Sequence, residues 1–186
     1  TLVEIDGPVD RIEISHSEGD DNSGVWFSDV YFDAQAGGPG DDSLLGGAGE
    51  DSIDGNGGDD TLEGGAGEDT LIGGAGDNLL KGGDEDDLFN GGQDLDTIDY
   101  SGSDAPVNVD LSPADDGDSP ELSGGDAGND SIQGGIDGVI GSDGDDTLTG
   151  FDQQGTADPD VFTNVLDGGA GNDDISGKGG DDSLIG

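Results

Sequence analysis

The sequence predicts an all-β solenoid, in which short strands stack in coils joined by glycine-rich turns. Three observations predict it. A nine-residue unit repeats in register from Gly37 to Asp99. Each unit has a glycine-rich first half and an apolar residue at its eighth position. The composition, with 41 Gly, 28% hydrophobic residues and a formal charge of −44, is too polar for an ordinary globular core.

The units are GGPGDDSLL, GGAGEDSID, GNGGDDTLE, GGAGEDTLI, GGAGDNLLK, GGDEDDLFN and GGQDLDTID. Position 6 holds Asp42, Asp51, Asp60, Asp69, Asn78, Asp87 and Asp96. Position 8 holds Leu44, Ile53, Leu62, Leu71, Leu80, Phe89 and Ile98. Glycines in the first half suit a tight turn that visits positive φ and brings backbones close together. The second half is a very short strand with its position-8 side chain pointing inward. Two units make one coil, so every second turn stacks on the one before it, and the position-8 side chains form a thin continuous core. No single unit could bury its own apolar residue.

The register breaks after Asp99. Residues 100–124 combine an alternating strand from Val107 to Leu111 with a Pro- and Asp-rich stretch, expected as a loop bulging from the solenoid. Glu85 and Asp94 stand at position 4, where glycine is expected, so those turns should be distorted and the regular coils should end near Asp99. Units resume over 125–186, shortened through GGIDGVI and loose over 150–167, where Asn164 falls at position 6 and Leu166 at position 8. Residues 1–36 alternate and are aromatic, as in PVDRIEISH and VWFSDVYFD. They read as a hairpin or the end of a β-sandwich, with Trp26, Phe27, Tyr31 and Phe32 capping the open end of the solenoid. The expected organisation is a cap at 1–36, a first repeat block at 37–99, an insertion at 100–124 and an irregular second block at 125–186.

Forty-seven acids against 3 bases make nucleic acid and anionic membrane surfaces poor partners, because phosphate contacts require clustered Lys and Arg. Cations are the expected partners. Without one, repulsion between stacked carboxylates favours an unfolded acidic chain. Cysteine is absent, so neither disulfides nor thiolate metal sites hold the fold. No apolar run approaches a membrane span. The chain starts at Thr1 and stops at Gly186 directly after a unit, as expected of a piece of a larger protein whose other domains are its neighbours.

The nonapeptides resemble the RTX repeat regions of secreted serralysin-type proteases, lipases, haemolysins and mannuronan epimerases. DTIDYSGSDAPVNVDL and GGIDGVIGSDGDDTLTG are also similar to stretches common in that family. The resemblance spans residues 37–186. It implies a right-handed parallel β-roll of a secreted, extracellular bacterial protein, which binds several Ca2+ ions and folds on meeting them after export. Calcium accepts 6–8 oxygen ligands from carboxylates and carbonyls, and glycine turns bearing one Asp supply both.

By the family's pattern, carbonyls 2 and 4 and the Asp of one turn face carbonyls 1 and 3 and the Asp of the turn two units later. Gly38, Gly40 and Asp42 then meet Gly55, Gly57 and Asp60. Gly47, Gly49 and Asp51 meet Gly64, Ala66 and Asp69. Gly65, Gly67 and Asp69 meet Gly82, Asp84 and Asp87. Asn78 serves two further sites, one facing Asp60 with Gly73 and Ala75, the other facing Asp96 with Gly91. Its amide brings no charge, so these two are expected to be the weaker pair. In the second block, Asp130, Asp146, Asp173 and Asp182 are the matching carboxylates. Asp173 would need a turn beginning at Gly186, so its outer site is at best half built.

A catalytic reading has little support, and no enzymatic activity is expected. The one histidine, His16, lies between Ser15 and Ser17 on a strand where exposed polarity explains it. A second reading is a calcium-dependent module that binds extracellular polysaccharide or a surface polymer through Trp26 or Tyr31. Asp158-Pro159 would suit self-cleavage, but one dipeptide carries little weight.

Overall fold

The computed structural model describes residues 35–111, 121–124, 128–151 and 163–186. The expected N-terminal cap with Trp26 and Tyr31, His16, and Asp158-Pro159 lie outside them. Two sheets face each other across one thin core, and no helix occurs among the described residues.

The first sheet contains β2 (Ser43–Ala48), β4 (Thr61–Ala66), β6 (Leu79–Asp84), β8 (Thr97–Asp99), β12 (Gly138–Ile140), β14 (Val165–Asp167) and β16 (Ser183–Ile185). The second contains β1 (Gln35–Ala36), β3 (Ser52–Gly57), β5 (Thr70–Ala75) and β7 (Leu88–Gln93). It continues through β11 (Ser131–Gly134), β10 (Glu121–Gly124), β9 (Val107–Asp110), β13 (Thr147–Thr149) and β15 (Asp174–Ser176). Successive strands of the first block alternate between the sheets, and each pairs in parallel with the strand two units on, as Leu62 with Leu80 and Leu71 with Phe89. This is an all-β parallel β-roll.

The core follows position 8. Ile53, Leu62, Leu71, Leu80, Phe89 and Ile98 are fully buried, joined by Val109, Ile132, Val139, Leu148 and Leu166. In the last described strand the same position is Leu184, 48% exposed. Each fully buried aliphatic side chain contributes about 1.5–3 kcal/mol, and only stacking provides that burial.

Two expectations are corrected. The roll does not end near Asp99: β8 pairs with β12 and β7 with β11, so strands from both repeat blocks share both sheets. Nor does the insertion only bulge outward. β9 and β10 form an antiparallel pair, Val109 opposite Leu122, set inside the otherwise parallel sheet between β11 and β13. The chain leaves β8, enters the second sheet as β9 two places beyond the position next to β7, turns back through β10, and β11 then takes the place beside β7. Backbone hydrogen bonding drives this, because an unfilled rung would leave two strand edges unpaired.

The turns at Glu85 and Asp94 also keep the repeat's conformation. Position 4 has positive φ at Gly49, Gly58, Gly67 and Gly76, and Glu85 (φ 81°) and Asp94 (φ 73°) follow them. The stack of neighbouring coils imposes this geometry, and the side chain at position 4 bears strain instead. A left-handed L-residue costs about 1–2 kcal/mol, partly offset by the greater unfolded-state entropy of glycine. Glu85→Gly is therefore expected to stabilise the calcium-loaded roll by about 0.5–1 kcal/mol. Chemical denaturation at saturating calcium checks this, and a loss of stability would show that Glu85 makes a compensating contact.

Candidate metal centre

The position-6 side chains form two columns, one at each turn of the roll. The first runs through Asp42, Asp60, Asn78 and Asp96, and the second through Asp51, Asp69, Asp87 and Asp130. Asp60, Asp69, Asp87, Asp96 and Asp130 each use one oxygen to hold register. Oδ1 of Asp60, Asp69 and Asp87 accepts the backbone N–H of Asp42, Asp51 and Asp69, at 2.8, 2.8 and 2.9 Å. Asp96 Oδ1 accepts from Asn78 N at 3.0 Å, and Asp130 Oδ1 from Asp87 N at 2.8 Å. The aspartate stack is thus part of the coil-to-coil hydrogen bonding.

The second oxygen faces the turn. Oδ2 of Asp60, Asp69, Asp87 and Asp96 is buried with no hydrogen-bond donor. An ionised oxygen buried this way is costly unless a cation meets it. Carbonyls converge on the same place. A Cβ added to Gly46 would lie 2.6 Å from the Gly64 carbonyl oxygen and 2.7 Å from Asp51 Oδ2. Gly55 and Gly64 are crowded the same way, each by its own unit's aspartate and by the Gly73 or Gly82 carbonyl. Across the same turns, Gly65 and Gly67 lie against the carbonyls of Gly47 and Gly49. Only glycine lets these oxygens approach each other.

Gly47, Gly49 and Asp51 are therefore gathered with Gly64 and Asp69, as expected from the repeat. The Ala66 carbonyl accepts Gly49 N–H at 2.7 Å, and Ala75 accepts Gly58 N–H at 2.9 Å, each keeping a second lone pair. Asp84 accepts Gly67 N–H at 3.4 Å in the same way. No group of three or more His, Cys, Asp or Glu side chains suited to a metal occurs among the described residues. An ion held here must take most of its ligands from the main chain. A shell of hard oxygens with few charges and an adaptable backbone suits calcium better than magnesium, which demands near-ideal octahedral geometry.

Other expected positions differ in detail. Asp42 is half-buried in the first described turn, and its Oδ2 accepts Gly38 N–H at 2.6 Å. Asn78 Oδ1 accepts Asp60 N–H at 2.9 Å, which orients the amide. Its Nδ2 then donates to Gly76 O at 3.0 Å and Asp96 Oδ1 at 2.8 Å. This rung presents a donor where its neighbours present an oxygen. Asp146 is buried and satisfied by Ser142 through both its N–H and its hydroxyl, while Asp173 and Asp182 are half-buried in the last two described turns. Asp173 Oδ1 accepts Asp146 N–H at 3.0 Å, and Asp182 Oδ1 accepts Asn164 N–H at 2.9 Å.

Sequence reasoning missed Asp137. It is buried in the shortened GGIDGVI unit, extends the first column beyond Asp96, and its Oδ2 accepts Asp96 N–H at 3.4 Å. The shortened unit breaks the nine-residue count there, and the available signals were the GxD spacing of Gly135-Ile136-Asp137 and its place two residues before Val139 at position 8.

Burial shifts these acids. Desolvation pushes Asp87 up to about 8 and Asp96 to about 7, although backbone N–H donors work against it. Asp60 and Asp69 rise for the same reason. Asp130 rises to about 6, with the Tyr100 hydroxyl offsetting part of the burial. The folded metal-free roll thus holds protons more tightly than the unfolded chain. Its stability is highest below the unfolded carboxylate value near 4 and falls as pH rises through about 6–8. Without metal, acidification from pH 8 to pH 5 is expected to increase β-structure, read by far-UV circular dichroism of cation-stripped protein. A β signal that falls instead would contradict the burial of these acids.

Comparison with known proteins agrees with this geometry. The model of the RTX calcium-binding nonapeptide repeat matches in four copies, at residues 36–71, 63–98, 125–138 and 160–186. Together these cover more than half of the chain. No curated protein matches it. Nine-residue units, stacked glycine turns and buried carboxylates facing carbonyls all lead to one assignment: the chain belongs to the family of RTX calcium-binding nonapeptide repeats.

Proposed function

We propose that this chain is a calcium-responsive folding module of a secreted protein, binding several Ca2+ ions between stacked turns and stabilising or presenting the domains joined to it. The observation that carries this reading is the set of buried Oδ2 atoms on Asp60, Asp69, Asp87 and Asp96, which face glycine turns with no donor. Turn pairs 46–51 with 64–69, and 64–69 with 82–87, are the proposed principal sites. Each combines two carboxylates with carbonyls from both coils. A bound ion neutralises both acids at once and joins consecutive coils. At low free calcium the carboxylates repel and the chain stays open. At the higher calcium outside a cell they are bridged and the coils close.

Native mass spectrometry of the full chain in millimolar calcium tests the proposal. Several bound calcium ions are expected, with magnesium at the same concentration failing to replace them. A chain that stays metal-free, or takes magnesium equally well, rules it out.

A further inference from the structure

Among Asp69, Asp87 and Asp130 of the second column, Asp130 differs in that a side-chain donor meets the second oxygen of its carboxylate. All seven units from Gly37 to Gly91 begin with glycine, and the next residue in that nine-residue count is Tyr100. A Cβ at position 1 would run into the aspartate of its own unit, as at Gly55 and Gly64. Tyr100 escapes that clash because its segment leads into β9, where Val107 occupies the position-6 place and brings no carboxylate. Val107 lies two residues before Val109, which pairs with Leu148 at position 8, and its N–H donates to Asp146 Oδ1 at 2.8 Å. Freed from glycine, position 1 carries an aromatic ring that is 6% exposed and belongs to the core.

The hydroxyl of that ring donates to Asp130 Oδ2 at 2.6 Å, from 30 residues away along the chain. Asp130 is itself buried, and its Oδ1 is taken by Asp87 N–H. Both of its oxygens are therefore satisfied by protein donors. Oδ2 of Asp69 and Asp87, the preceding carboxylates of the same column, has none. At the far side of Asp130 the neighbouring strand is the antiparallel β10, which does not present a parallel glycine turn. On that side the rung lacks a facing turn, and it has gained a neutral donor.

We propose that the Tyr100 hydroxyl takes the place of a calcium ion at Asp130, closing this rung to metal and ending the calcium column of the second turn row at Asp87. The inference rests on the calcium reading above and refines it. Where the insertion interrupts the parallel coils, the chain replaces an ion that would find too few oxygens with one of its own hydrogen bonds. The two repeat blocks are then joined here without metal.

Anomalous diffraction from calcium-loaded crystals of the full chain tests this directly. Peaks are expected between the turns of Asp51 and Asp69 and of Asp69 and Asp87, with none on Asp130 Oδ2. A peak on Asp130 Oδ2 overturns the inference, whereas no peaks at any turn would overturn the calcium reading itself. In solution, Tyr100→Phe keeps the ring and removes one oxygen. It should leave the calcium number unchanged and lower the melting midpoint of the loaded roll by about 2–4 °C. That loss should shrink when Asp130→Asn is also present, because the two groups act as a pair. Strictly additive losses, or a changed ion count in Tyr100→Phe, would also overturn it.

Discussion

In chelator at neutral pH, the far-UV circular dichroism spectrum of this chain is expected to be that of a coil, converting to β-structure as calcium is added. Magnesium at equal concentration should not bring about the change. The reason is the balance between a thin core and a large charge. Position 8 provides one buried apolar residue for every nine, whereas the formal charge is −44 and the columns place carboxylates one coil apart. One site at free calcium a hundredfold above its Kd adds about 2.7 kcal/mol to the folded state. A handful of such sites matches the whole net stability of an ordinary domain, about 5–15 kcal/mol. Removing calcium should therefore unfold the roll rather than loosen it. A β spectrum that persists in chelator at neutral pH and low ionic strength would refute the coupling.

The second large effect is expected at Asp69. Its Oδ1 accepts Asp51 N–H and its own N–H donates to Asp87 Oδ1, so it is bonded to the coils on both sides. Its buried Oδ2 faces a turn shared by both proposed principal sites. Asp42, the first described carboxylate of its column, is half-buried and already holds the Gly38 N–H. Asp69→Ala should thus cost about two bound ions against about one for Asp42→Ala, and raise the calcium midpoint of folding by tenfold or more. Equal ion losses in the two variants would be incompatible with the stacking of each turn on the one two units before it.

Neither effect requires more than the repeat to be foreseen. A nine-residue period dictates which residues share a column, because every unit must place its apolar side chain against the coils beside it. Asp42 to Asp96 and Leu44 to Ile98 were legible for that reason, as were the glycines a Cβ would exclude. Asn164 and Leu166 also fell in register across the loose segment, and both are buried. Glu85 and Asp94 misled, because their local preference was outweighed by neighbouring coils that hold position 4 at positive φ.

The remainder depended on partners distant in the chain. Asp137 stacks on Asp96 from 41 residues away, and Asp130 on Asp87 from 43, where no fixed period applies. The backward path of β9 and β10, and the Tyr100 hydroxyl it brings to Asp130, follow from which strand edges needed pairing. Local repetition specifies a coil because each unit meets a copy of itself. Where copies stop, the order of the strands is set by hydrogen bonds and burial that only the assembled roll brings together.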